Sequence, residues 1–188
     1  MRLFTGIALA PGVQNTLAGV LRDLRPLAAL NWSPVENLHI TSKFIGQWPE
    51  ERLGELQAAL EGMHPETGFE VSIARFGYFP NPHRPHTLFA GVHAGAGLAE
   101  LAGRIDEALE PLGVARETRP YAPHLTLARI KQQNIRALRE HIAKMTNFDF
   151  GTFPVTEFHL YLSKPASTGS VYRPLSSYAL RDAASVGA

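Results

Sequence analysis

Asn37-Leu38-His39-Ile40-Thr41 and Ala122-Pro123-His124-Leu125-Thr126 are the stretches on which the reading of this chain turns. The second follows the first by 85 residues, counted from His39 to His124. Side chains alternate faces along an extended strand, so His39 and Thr41 share one face and Ile40 takes the other. His124 and Thr126 repeat the arrangement, with Leu125 and Leu127 opposite. Each stretch reads as a strand with one apolar face for packing and one polar face carrying an imidazole and a hydroxyl. Buried against a second core, that polar face would leave groups needing partners. Two such strands side by side instead line a groove on which two imidazoles and two hydroxyls converge.

Outward from these stretches, β-rich runs alternate with helical ones. The strand candidates are 2–9, 37–46, 69–79, 86–92, 124–130, 156–163 and 171–180, most of them rich in Val, Ile, Phe, Tyr and Thr and bounded by Gly, Pro or Asn. Helical spacing marks 13–30, a second helix opened by Pro49-Glu50-Glu51, 97–112 (Leu98, Leu101, Ile105, Leu109) and 134–145 (Ile135, Leu138, Ile142, Met145). The alternation predicts an α/β or α+β fold. Helix, Pro-containing loop, His-x-Thr strand and helix occur twice, so the halves read as two copies of one unit related by a pseudo-twofold axis. No low-complexity linker divides the chain, and residues 1–188 read as a single domain of two α/β lobes with one motif each.

Composition sets the outer bounds. Of 188 residues, 45% are hydrophobic and 19% charged, which excludes a disordered polyampholyte. The formal charge of +1 excludes a polybasic binder that relies on many phosphate contacts, while leaving room for a phosphorylated substrate held by one or two local cations. With no cysteine, disulfides, thiolate-ligated metals and a thiol nucleophile are ruled out. No apolar run approaches the roughly 20 residues that span a bilayer. Met1-Arg2 followed by Leu3 to Ala10 imitates a short signal peptide, but Pro11-Gly12 reads as the turn that ends a first strand. The expectation is a cytoplasmic protein.

One His-x-Thr tripeptide is a weak signal, since a lone strand histidine ordinarily bonds only its neighbours. Its recurrence on matched strands, with the same apolar alternation, carries the functional reading. Two imidazoles facing one substrate atom suit acid–base chemistry at neutral pH, one taking a proton and the other giving one. Hydroxyls beside them suit a transition state gathering charge on non-bridging phosphate oxygens. Neither strand has a carboxylate or second histidine at metal-ligand spacing, so no metal is expected.

His39-Ile40-Thr41-Ser42 and His124-Leu125-Thr126-Leu127 resemble the tandem HxTx signatures of the 2H phosphoesterase superfamily. More closely, the chain is similar to the RNA 2′,3′-cyclic phosphodiesterases, also described as 2′-5′ RNA ligases (the LigT/ThpR type). The resemblance runs almost end to end, through Arg2-Leu3-Phe4, the Trp32 to Leu38 lead-in, Phe44-Ile45-Gly46, Arg119-Pro120-Tyr121-Ala122-Pro123, Leu160 to Ser163, Gly169 and Tyr172. It implies an α+β, bilobal fold with two antiparallel sheets lining a central groove, helices outside and the motifs at the groove floor. It also implies hydrolysis of a terminal 2′,3′-cyclic phosphate to the 2′-phosphate without a cofactor. The expectation takes His124 as base on water and His39 as acid on the departing 3′ oxygen, two roles that the pseudo-symmetry makes interchangeable on sequence grounds, with Thr41 and Thr126 holding the non-bridging oxygens.

Substrate contacts are also expected of four neighbours. Parity puts Lys43 on the polar face with His39 and Thr41, where the family often has Arg; Lys keeps the charge without the planar fork. Arg129 matches a family arginine that reaches the phosphate, yet plain alternation turns it away, so its contribution requires a bulge or strand end to reorient it. Phe44, at the equivalent place after the first motif, and Tyr172 at the groove edge are candidates to stack on a base. His83, Arg84 and His86 lie in a Pro-rich loop placed to touch RNA beyond the terminal nucleotide, or simply to be exposed. His64, His93, His141 and His159 are assigned nothing. The expected partners are RNA with 2′,3′-cyclic phosphate ends or cyclic nucleotides, with no membrane or obligate protein partner, and a monomer. Three other readings remain: a 2′-5′ ligase using an RNA hydroxyl in place of water, a non-catalytic RNA-end-binding module, and an enzyme for a nucleotide-derived cyclic phosphate such as that of ADP-ribose.

Overall fold

The computed structural model describes residues 1–63, 67–166 and 169–181; His64 lies outside them. Strand β1 (Arg2–Ala8) runs between β3 (His39–Gln47) and β8 (Glu157–Ala166), and β9 (Gly169–Ala179) closes the far edge, giving a four-stranded sheet in the order β3-β1-β8-β9. The second sheet has the order β2-β6-β5-β4-β7, built from β2 (Asn31–Trp32), β6 (His124–Arg129), β5 (Thr87–His93), β4 (Phe69–Phe79) and β7 (Asp149–Val155). The strand pairing within both sheets is antiparallel. The fold class is α+β, as expected.

Among the described residues, four helices accompany the sheets: α1 (Pro11–Leu24), α2 (Leu53–Glu61), α3 (Gly97–Leu109) and α4 (Arg136–Lys144). Pro11-Gly12 is not the expected turn but the start of α1, with Pro11 at a first-turn position where its missing N–H costs nothing. The same helix stops at Leu24, short of the expected residue 30. Arg25 is still helical and its N–H still bonds the Leu21 carbonyl, but Pro26 has no N–H to continue the ladder, and the chain tightens into a 3-10 turn over Arg25–Leu27. In α3 the predicted stripe Leu98, Leu101, Ile105 and Leu109 is buried throughout. Two strands were not expected from the pattern. β2 is two residues long, and β7 contains Gly151 and Pro154, which break an apolar alternation. Pro154 is tolerated because β7 is an edge strand, where one side of the backbone has no ladder to join.

The internal repeat is visible as β1-α1-β3-α2 and β5-α3-β6-α4. Arg2–Ala8 and Thr87–His93 correspond residue for residue at the 85-residue offset, and so do the ends of α1 at Leu24 and α3 at Leu109. The copies are interlocked: α1 packs on β7 of the second sheet, whereas α3 packs on β3 of the first. One apolar cluster therefore runs through both, including Leu17, Leu21, Leu101, Ile105, Leu125 and Leu160.

The two motif strands share one irregularity. Gly6 pairs with Thr41 and Thr5 with Lys43, leaving Ser42 as an extra residue; Phe89 pairs with Thr126 and Leu88 with Ala128, leaving Leu127 extra. A bulge of this kind resets the alternation of faces beyond it. The first six residues of each strand have the same burial sequence: half-buried, buried, half-buried, buried, buried, exposed. In β3 the bulged Ser42 hydroxyl lies inside and is satisfied by the Thr5 hydroxyl at 2.9 Å.

Candidate active site

Both motif histidines lie at the start of their strands and line one groove of about 570 Å³. Each is held by the chain two residues earlier: His39 Nδ1 lies 2.7 Å from the Asn37 carbonyl and His124 Nδ1 2.9 Å from the Ala122 carbonyl. A carbonyl only accepts, so Nδ1 carries the proton in both rings, and Nε2 is the bare, reactive nitrogen when the ring is neutral. Aromatic walls fix the planes. Phe4 lies 4.6 Å and Tyr172 4.9 Å from His39, while Phe79 and Phe89 lie 4.9 and 5.7 Å from His124. Phe4 and Phe89 are equivalent in the repeat. Phe89 in turn lies over Gly77, where an added Cβ would fall 2.2 Å from its ring, so only glycine lets the ring occupy that place.

The bulges decide which neighbours join the histidines. Past Ser42, Lys43 turns inward, contrary to the expectation from parity. It is only 7% exposed, ion-pairs with Asp106 of α3 and donates to the Ala115 carbonyl at 2.6 Å. Lys43 is thus a structural cation joining β3, α3 and the following loop, and it does not line the groove. Phe44 takes the groove side instead, 66% exposed. Past Leu127, Arg129 swings to the groove for the same reason, and its guanidinium donates to the buried Thr87 hydroxyl at 2.8 Å. Thr41, Thr126 and Tyr172 also line the groove. Arg2, Ser33, Phe79 and Thr87 are lining residues that motif reading did not single out. The signal for Arg2 and Thr87 was their equivalent place in the repeat, at the start of the strand beside each motif.

The described lining residues include Arg2 and Arg129 and no carboxylate. Imidazoles, hydroxyls and guanidiniums form a donor set for an anion, whereas a hard divalent cation calls for carboxylate oxygens. Burial lowers the pKa of His39 below the ordinary 6.5; the Asn37 carbonyl opposes this, and the charge of His124 adds to it. The two rings therefore sense one another across the groove, and double protonation is disfavoured.

Each half also braces the other. The Tyr121 hydroxyl, from the lead-in to the second motif, donates to the Thr41 carbonyl of the first at 2.7 Å, and burial pushes its pKa up so that it remains a donor. Reciprocally, the Ser33 hydroxyl, from the lead-in to the first motif, donates to the Thr126 carbonyl at 2.9 Å. Tyr121→Phe and Ser33→Ala should each cost about 1 kcal/mol, the net worth of a hydrogen bond. That corresponds to a thermal midpoint lower by roughly 2–4 °C in a chain of this size. Unchanged midpoints in both variants would show that the braces carry no energy.

Fold and site together define a two-sheet α+β protein built on an internal duplication, with one His-x-Thr strand from each copy facing a common groove. The chain belongs to the 2′-5′ RNA ligase superfamily, whose family model matches residues 13–164. It is 30% identical over 175 residues to an Archaeoglobus fulgidus protein named RNA 2′,3′-cyclic phosphodiesterase, covering 93% of this chain and 98% of that one. In three dimensions it is similar to a Thermus thermophilus protein, with a TM-score of 0.83 and 30% identity over 97% of this chain and 100% of the other. It is also similar to Escherichia coli LigT complexed with 3′-AMP, with a TM-score of 0.76 and 27% identity over 95% and 97% of the two chains.

Proposed function

We propose that the protein hydrolyses terminal RNA or nucleoside 2′,3′-cyclic phosphates to 2′-phosphates by two-histidine acid–base catalysis. The observation that carries this reading is the matched pair of Nδ1-anchored imidazoles in one groove whose described lining holds no carboxylate. A cyclic phosphodiester is a monoanion, and Arg2 and Arg129 supply the complementary charge. His124 Nε2 takes a proton from water as the water oxygen bonds to phosphorus. The 3′ oxygen leaves with the proton held by His39 Nε2, the ring opens, and a 2′-phosphate with a free 3′ hydroxyl results. His124 suits the base because its ring stands nearer to solvent, where water arrives. His39 suits the acid because burial weakens its hold on a proton, making it the stronger donor once the substrate's negative charge has brought a proton there. The Thr41 and Thr126 hydroxyls flank the non-bridging oxygens, and Phe44 and Tyr172 offer faces to the base.

Support from the relatives is direct in kind: the A. fulgidus protein bears the name of this activity, and the LigT structure holds a nucleotide phosphorylated on its 3′ oxygen. The test is incubation with 2′,3′-cyclic nucleoside monophosphates and a cyclic-phosphate-ended oligonucleotide, in EDTA throughout. A 2′-phosphate product formed in the chelator is expected. Absence of turnover, a 3′-phosphate product or loss of activity in EDTA would each overturn the mechanism. RNA with a 5′ hydroxyl, added to the same reaction, reports ligation as a longer strand.

A further inference from the structure

Thr87 and Arg129 line the groove at the start of β5 and the end of β6, and the residues just outside the two strands, His86 and Ile130, are joined by an Ile130 N–H···O His86 bond of 2.9 Å. Immediately past them opens a second cavity of about 710 Å³. Its lining brings together Arg84 from the β4–β5 loop, Lys131 from the loop after β6, and Arg136 and Arg139 from α4. The single carboxylate among its described lining residues, Glu140, is already paired with Arg136 at 2.8 Å. In a chain whose formal charge is +1, this is a local concentration of positive charge. The N-terminus of α4 adds its partial charge at the same place, since α4 begins at Arg136.

The walls are ordered before any ligand arrives. Asn81 Oδ1 accepts the N–H groups of His83 and Arg84 at 2.9 and 3.1 Å, which folds the loop. The Arg139 guanidinium donates to the Pro82 carbonyl and stands 5.4 Å from the centre of the Tyr78 ring, tying α4 to that loop. Arg129 faces the groove and Lys131, two residues further along, faces the cavity. Two residues of chain span at most about 7 Å, close to one nucleotide step of a stretched strand.

We propose that this cavity is a second anion subsite, which takes the phosphodiester backbone of the nucleotides 5′ to a cyclic-phosphate end. The proposal rests on the activity proposed above and makes the enzyme one for RNA ends rather than for free cyclic mononucleotides. Its contacts are cationic, so it reads the presence of a strand and not its sequence.

The test compares wild type with Lys131→Gln/Arg136→Gln, both exposed positions. Wild type should favour a cyclic-phosphate-ended pentanucleotide over the cyclic mononucleotide by tenfold or more in kcat/KM. The double variant should lose most of that preference while hydrolysing the mononucleotide within twofold of wild type. Two lost phosphate contacts should also flatten the salt dependence of pentanucleotide binding by about 1.4 in log–log slope. An undiminished preference, or an equal fall on both substrates, would overturn the subsite. Anisotropy of a labelled pentanucleotide ending in a 3′-phosphate reads the cavity without turnover. Roughly tenfold weaker binding by the variant supports the subsite and equal binding overturns it, even should wild type hydrolyse neither substrate and the proposed activity itself fail.

Discussion

His39→Ala and His124→Ala are each expected to lower kcat/KM for cyclic-phosphate hydrolysis by roughly 10²- to 10⁴-fold, the range that a positioned acid or base contributes. The double variant should be little worse than the poorer single one, because removing either partner already breaks the concerted transfer. Steady-state assays on a cyclic mononucleotide check both statements, and a variant that keeps near-normal turnover removes that histidine from the mechanism. The pH profile supplies a second readout. Burial lowers the His39 pKa, so its ring holds a proton less tightly than an ordinary histidine, and one limb of the kcat/KM profile should fall below pH 6.5. Tyr172→Ala opens the ring to water and should move the limb upward; a limb unmoved by the change would show that Tyr172 does not desolvate His39.

Lys43→Met should destabilise the fold by about 3 kcal/mol or more, because it leaves the half-buried Asp106 carboxylate with a backbone N–H but without its cation. For a chain of this size that corresponds to a thermal midpoint lower by roughly 6–12 °C. The loss extends beyond one contact. Asp106 also accepts the Glu117 N–H at 3.1 Å, and Lys43 holds the Ala115 carbonyl, so the pair anchors the loop leading toward Tyr121 and the second motif. Lys43→Met/Asp106→Leu removes both charges and should recover much of the stability. Thermal unfolding of the three proteins decides the matter. A Lys43→Met protein of unaltered midpoint with weakened substrate affinity would instead return Lys43 to the phosphate-contact role that strand parity predicts.

Lys43 shows where local reading stops. Strict alternation assigns Lys43 to the groove and Arg129 away from it, and both assignments reverse at a single extra residue, Ser42 or Leu127. Nothing in His39–Lys43 or His124–Arg129 alone announces that residue; it exists because β3 must stay in register with β1, and β6 with β5. β7 was illegible for a related reason, since Gly151 and Pro154 read as a break until the strand is known to lie at an edge.

What the amino-acid order determined by itself is what local periodicity and duplication can encode: the apolar stripe of α3, the two-faced motif strands, the repeat, and the His39, His124, Thr41 and Thr126 constellation. Those depend on neighbours a few residues apart or on direct likeness between copies. The family resemblance already offered Arg129 and Phe44 as substrate contacts, but only the tertiary structure decided where the bulges that turn them to the groove fall, that Lys43 serves the core, and that Tyr121 and Ser33 brace each other's motif across 80 and 93 residues. Bulges and braces arise where distant strands meet, and their geometry is a property of the pairing rather than of either segment.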